Sequence, residues 1–128
     1  MGRRTLIEGV GFRLGWDRDG GEFVGLVGTG DWAVELTVEE WTDFGRLAIE
    51  LAQMMAAMAI ELMDEEALSV ELETGRIWME AEGFPIGYGL RFIMRDGRGV
   101  EGAWSAEAVP GLLAAVAQMD LETSREDL

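Results

Sequence analysis

The chain has 128 residues, with 10 basic and 25 acidic side chains and a formal net charge of -15. It contains no Cys, His, Lys or Asn, which excludes thiolate and imidazole catalysis, Schiff-base lysines, a Walker A lysine and ordinary zinc sites. Carboxylates, hydroxyls, Arg and the single Tyr88 are the reactive groups left, in a length that suits one domain.

From Leu6 to Trp16 most even positions are apolar, which reads as a strand bent at Gly9 or Gly11 and closed by Asp17-Arg18-Asp19-Gly20-Gly21. A strand from Glu22 to Val27 then meets another from Trp32 to Leu36. Pairing Val27 with Trp32 sets Gly25 opposite Val34 and Phe23 opposite Leu36, and gathers the apolar side chains on one face.

Thr37-Val38-Glu39-Glu40 is a capping box, and Leu36 is placed to staple onto Trp41. The helix it opens runs to about Met63. In its second half Glu50, Gln53, Ala57 and Glu61 form one outward line, and every other direction is apolar. One sheet face cannot cover that much. Leu51, Met54, Met55, Met58 and Leu62 are therefore candidates for a homodimer contact, with cover by the second half of the chain as the alternative. The methionines at helical spacing read as packing residues and not as a metal box.

Leu68, Val70 and Leu72 alternate with polar residues in a half-buried strand ending at Thr74-Gly75. The strand from Arg76 to Glu82 turns Ile77, Met79 and Ala81 inward, and that from Gly89 to Arg95 turns Leu90, Phe92 and Met94 inward. Matching those faces pairs Ala81 with Leu90 and Met79 with Phe92, so that Glu80 faces Arg91 and Trp78 faces Ile93 outside. After Asp96-Gly97 a three-residue turn with a bulge sets Met94 opposite Val100, Phe92 opposite Gly102 and Leu90 opposite Trp104. Ser105 caps a short helix, Pro110 to Met119, with Pro110 at its first position. The acidic tail from Asp120 to Leu128 reads as disordered.

Gly15-Trp16-Asp17, Gly25-Leu26-Val27-Gly28, Asp31-Trp32-Ala33-Val34-Glu35-Leu36, Glu61-Leu62-Met63-Asp64-Glu65-Glu66, Gly83-Phe84-Pro85 and Leu90-Arg91-Phe92-Ile93 together resemble a small cyanobacterial family of uncharacterised proteins. The resemblance spans about Gly11 to Met119. It implies an α+β fold similar to the Whirly and transcriptional-coactivator single-stranded-DNA-binding domains, four antiparallel strands and a helix occurring twice (ββββα-ββββα). The halves fall at about residues 5–66 and 67–119 of one domain over 1–119. No activity or catalytic residue comes with the family. Whirly-type DNA binders rely on lysine-rich strand edges and a Lys-Gly-Lys type motif, and this chain has no Lys.

Arg76, Trp78, Arg91, Ile93 and Arg95 share the outward face of two neighbouring strands, where an aromatic ring between guanidinium groups is able to stack a nucleic-acid base. The competing reading makes Glu80 the partner of Arg91 and Trp78 the cover of Ile93, and it is favoured because three local arginines do not overturn the net charge of -15. Glu71 with Glu73, and Glu80 with Glu82, are the carboxylate pairs an acid-base enzyme needs, but 25 acidic residues produce such pairs by chance. The glycine clusters lack any phosphate-loop frame.

The amino terminus has no apolar core of a secretory signal, and Leu47 to Met63 is interrupted by Glu50, Gln53 and Glu61, so a cytoplasmic protein without a membrane span is expected. The expected function is a non-enzymatic, regulatory or protein-binding module, a homodimer with no cofactor or metal and without nucleic acid as its partner. The alternatives are a divergent single-stranded nucleic-acid binder and, further off, a carboxylate enzyme.

Overall fold

The computed structural model describes residues 4–61 and 66–126. Its elements follow in the order β1 (Arg4–Gly9), β2 (Phe12–Asp17), β3 (Gly25–Gly28), β4 (Ala33–Leu36), α1 (Val38–Glu61), β5 (Leu68–Glu73), β6 (Ile77–Phe84), β7 (Gly87–Met94), β8 (Glu101–Trp104) and α2 (Val109–Glu126). Each half forms a four-stranded antiparallel sheet in sequential order and ends in a helix. This is the α+β class expected from the sequence.

The segment expected to be one bent strand is a complete hairpin. Gly9 pairs with Phe12, Ile7 with Leu14 and Thr5 with Trp16, around Val10-Gly11 with Gly11 at φ 73°. The reversal changes which positions face inward. Phe12 and Leu14 are buried and Ile7 packs against the core, whereas Leu6 is 57% exposed and Val10, at the tip, is 74% exposed. An apolar tip residue continued the alternation through the turn and concealed it.

The β3–β4 register also differs from expectation, by two residues. Val27 pairs with Val34 and Gly25 with Leu36, and the connection is the four-residue turn Thr29-Gly30-Asp31-Trp32, in which the Thr29 N–H donates to the Trp32 carbonyl at 2.9 Å. A slip of two keeps every side chain on its own face, so apolar alternation does not distinguish the two registers. What fixes the register is bulk. A Cβ on Gly25 would collide with the Trp41 ring, and one on Gly28 with the Trp32 carbonyl.

The β6–β7 and β7–β8 pairings have the expected register: Ala81 with Leu90, Met79 with Phe92, Glu80 with Arg91, Trp78 with Ile93, Leu90 with Trp104 and Phe92 with Gly102. The Met94 N–H donates to the Val100 carbonyl at 2.8 Å, and Gly97 and Gly99 supply the left-handed φ values of the loop between.

α1 begins with the expected capping box. The Glu40 N–H donates to Thr37 Oγ1 at 3.2 Å, and Glu40 Oε1 accepts from the Thr37 N–H at 2.9 Å. The described part of α1 ends at Glu61, so the stop at Asp64-Glu65-Glu66 lies outside the described residues except for Glu66. α2 begins after a turn in which the Ser105 carbonyl accepts from Ala108 and Val109, and Pro110 is the second helical residue, not the first. The helix does not end at Met119. It continues to Glu126 through the acidic segment expected to be disordered, because no Gly or Pro interrupts Asp120 to Glu126 and Leu, Glu and Arg all favour a helix.

The two halves share one core. α1 lies against β5 and β6 of the second sheet, while α2 lies against β2 of the first, so each helix covers mainly the sheet of the other half. Phe44, Leu47, Ala48, Leu51 and Met55 are buried from α1, together with Leu112, Ala115, Val116 and Met119 from α2. Phe44, Phe92, Trp32 and Trp104 form a ring cluster with centroids 5.2 to 6.1 Å apart. The Trp104 indole N–H donates to the Gly28 carbonyl at 2.8 Å, and Gly102 leaves room for the Trp32 ring.

Candidate functional site

The outward face of the second sheet brings together Trp78, Arg91, Ile93 and Arg95 but not the side chain of Arg76, just before β6, and each of these cations has a carboxylate. Arg91 reaches Glu80 at 3.4 Å, Arg95 pairs with Glu73, and Arg76 turns aside to Asp43 of α1 at 3.2 Å. The Arg91 guanidinium also lies 4.8 Å from the centre of the Trp78 ring, on the surface a base would need for stacking. Trp78 pairs with Ile93 across the strands, as expected.

One member of each carboxylate pair is engaged, Glu73 by Arg95 and Glu80 by Arg91. Glu71 stands opposite Glu80, whose second oxygen accepts from the Ser69 hydroxyl at 2.8 Å. Among the described residues no group of three or more acidic side chains is gathered as a metal site. Burial pushes the Tyr88 phenol above its ordinary range, further from use as a base.

On the helix named for a dimer contact, Leu51 and Met55 are completely buried within the chain. Met58 is half-buried, Met54 is 36% exposed, and Leu62 lies outside the described residues. Cover within the chain thus accounts for Leu51 and Met55.

Two polar ties between the halves were not legible as such. Arg98, on the β7–β8 loop, donates to both Glu40 oxygens at 2.8 Å, to Asp96 at 2.8 Å and to the Glu35 carbonyl at 3.0 Å, over the Phe23 ring at 5.4 Å. Burial raises Glu40 above the ordinary carboxylate range, reinforced by a hydrogen bond with Asp96 and opposed by the Thr37 N–H and then by Arg98. The same hydrogen bond, followed by contacts with Arg98, holds Asp96 below its ordinary value. Burial works against the Arg98 charge, but its two carboxylates outweigh this and raise it. The second tie is Asp43, which accepts from the Thr74 hydroxyl at 2.8 Å and from Arg76. Both are structural: they fasten the start of α1 to two loops of the second half.

Between the helices runs a groove of about 670 Å³, within the range of ligand and partner pockets. Its floor is Leu14 and Phe44. Trp41, Gly45 and Ile49 line it from α1 and Val116 from α2, with Arg46, Glu50, Gln53 and Asp120 at the rim. Arg46 stands 3.9 Å from Glu50, one turn along the helix. The α1 lining recurs at 41, 45, 49 and 53, the spacing of one helix face. The sequence carried one signal of it, a glycine inside a well-capped helix. The concavity itself depends on α2 approaching α1 from the other half, which no local pattern encodes.

The two helical glycines differ in what keeps them. A Cβ on Gly111 would stand 2.6 Å from Phe12 Cε1, so close packing of α2 on β2 requires glycine there. A Cβ on Gly45 would meet only Val116 Cγ1, at 3.7 Å, an ordinary contact. The fold does not require glycine at 45.

No helix among the described residues is long and apolar enough to cross a membrane. No curated protein matches the chain. A similar solved structure is that of a protein of unknown function from the DUF155 family of Prochlorococcus sp. NATL2A, with a TM-score of 0.86 and 28% identity over 91% of this chain and 98% of that one. The chain belongs to the family described as domain of unknown function (DUF1818), whose model matches residues 7–119.

Proposed function

We propose that this member of the DUF1818 family is a non-enzymatic binding module acting through protein contacts, with the groove between α1 and α2 as its contact surface. The observation that carries the reading is the groove itself: an apolar floor and walls, a sparse polar rim, and a glycine in its wall that the fold does not need. Glycine in a helix interior costs about 1 kcal/mol relative to alanine, so a helix that keeps one without a steric reason is consistent with something outside the chain approaching closely.

A divergent single-stranded nucleic-acid binder finds less support. Each arginine on the outward sheet face is matched to a carboxylate, and Arg91 occupies a face of Trp78. Likeness in fold to Whirly-type DNA binders would not transfer their function to a chain without lysine. A second copy of the chain is the alternative occupant, favoured by the exposure of Met54 next to Gln53 of the rim.

The test is affinity capture from the native host with three forms of the protein. Wild type and Arg91→Ala should retain the same partner, and Gly45→Leu, which places a side chain in the groove, should lose it. A partner kept by Gly45→Leu and lost by Arg91→Ala would move the functional surface to the sheet.

A further inference from the structure

We infer that the groove takes an amphipathic helix of a partner protein, one that places an apolar stripe between α1 and α2 and a basic residue against the rim; this rests on the groove being the contact surface. Three observations converge on that occupant. The first is shape: the lining from Trp41 to Gln53 follows one face of α1 for 13 positions, about 18 Å at 1.5 Å per residue, a length of three to four helical turns. A helix laid along it would present residues at i, i+4 and i+7 to Trp41, Gly45 and Ile49, as helix-in-groove recognition does.

The second is Gly45, in the middle of that face. Its missing side chain lowers the α1 wall where an incoming helix would cross, and small residues at a crossing let two backbones come together. Gly111 makes the contrast, since its space is already filled by Phe12 of the same chain.

The third is charge. The rim carries two acids, Glu50 and Asp120, against one base, Arg46; Glu50 lies beside Arg46 and Asp120 is engaged in an interaction of its own, so the attraction comes from the sum of charge and not from an unpaired carboxylate. The surrounding molecule carries a net charge of -15. That field attracts a cationic segment and repels an acidic one, which disfavours both an anionic small molecule and a second copy of this chain.

The experiment uses the full chain and a fluorescein-labelled model helix of leucine and lysine, with the leucines on one face. Two comparison peptides are a scrambled isomer and a version with glutamate in place of lysine. Anisotropy should show the amphipathic lysine peptide binding at least about tenfold more tightly than either, a difference of the size expected for a hot-spot contact. Gly45→Leu and Ile49→Gln should each weaken it by about tenfold or more. The double variant Glu50→Gln, Asp120→Asn, both at exposed positions, should weaken it several-fold and flatten its salt dependence. Amide shifts caused by the peptide should centre on Gly45, Ile49 and Val116. Equal binding of the scrambled peptide, preference for the glutamate version, shifts centred on the outer sheet face, or no binding at all would overturn the inference. So would concentration-dependent dimerisation in sedimentation that Gly45→Leu abolishes, because the occupant would then be a second copy. Refusal of the peptide by a protein whose host partner still depends on Gly45 would overturn the helix and leave the groove as the contact surface.

Discussion

Arg98 and Glu40 meet across 58 positions of sequence, and the contact is costly to break because Glu40 is only 4% exposed. Removing one partner of a fully buried pair costs about 3 to 5 kcal/mol. The Arg98 side chain is 29% exposed, so Arg98→Ala should cost less, about 2 to 3 kcal/mol at neutral pH. The pH dependence follows from the two carboxyls. Glu40 is raised, so its contribution to stability is present at low pH and lost as pH rises through its folded pKa. Asp96 is lowered, so its contribution is present above the ordinary carboxylate value and lost as pH falls through its folded pKa. In Arg98→Ala only the Thr37 N–H still offsets burial at Glu40, which takes up a proton more readily. The gap to wild type should therefore narrow on acidification into the range just above ordinary carboxylate pKa values, as measured by urea unfolding across that range. A gap that widens there would show that Glu40 is not the group left uncompensated. At the same scale the two helical glycines should respond in opposite senses. Gly45→Ala should stabilise by up to about 1 kcal/mol through helix propensity. Gly111→Ala should destabilise by about 1 to 3 kcal/mol through overpacking against Phe12. Thermal melts of the two variants decide it.

Among the elements, α1 carries the signal most easily read in the sequence. Its capping box is present in both directions, and Thr37→Ala should lower stability by about 1 kcal/mol while leaving the circular-dichroism spectrum unchanged. The second sheet was equally legible, since Glu80 opposite Arg91 and Trp78 opposite Ile93 agree with only one register. The first sheet was less so. Its alternation ran through the Val10 tip without interruption, and a two-residue slip between β3 and β4 preserves faces. The contacts that decide the register, Gly25 against Trp41 and Gly28 against Trp32, join residues whose meeting depends on the finished turn and helix. The groove and the Arg98 tie were hidden for a related reason. Both arise where the first half meets the second, and hydrophobic periodicity describes only the segment in which it is found.

At the scale of the whole molecule, the two halves exchange their cover, with α1 mainly on the second sheet and α2 on the first. Neither half is a self-contained unit, so residues 5–66 and 67–119 expressed separately should fail to unfold cooperatively, whereas the full chain should melt in one transition. The net charge of -15 governs partners at a distance. No binding to single-stranded DNA is expected at physiological salt, and micromolar binding lost in Trp78→Ala would contradict that. The most direct measurement is photo-crosslinking in the native host with a benzophenone side chain introduced at position 53, at the exposed rim of the groove, or at position 78 on the outer sheet face. A discrete protein adduct from position 53 that Gly45→Leu removes, with none from position 78, is the expected result. Adducts from position 78 and none from position 53 would contradict the groove as the contact surface.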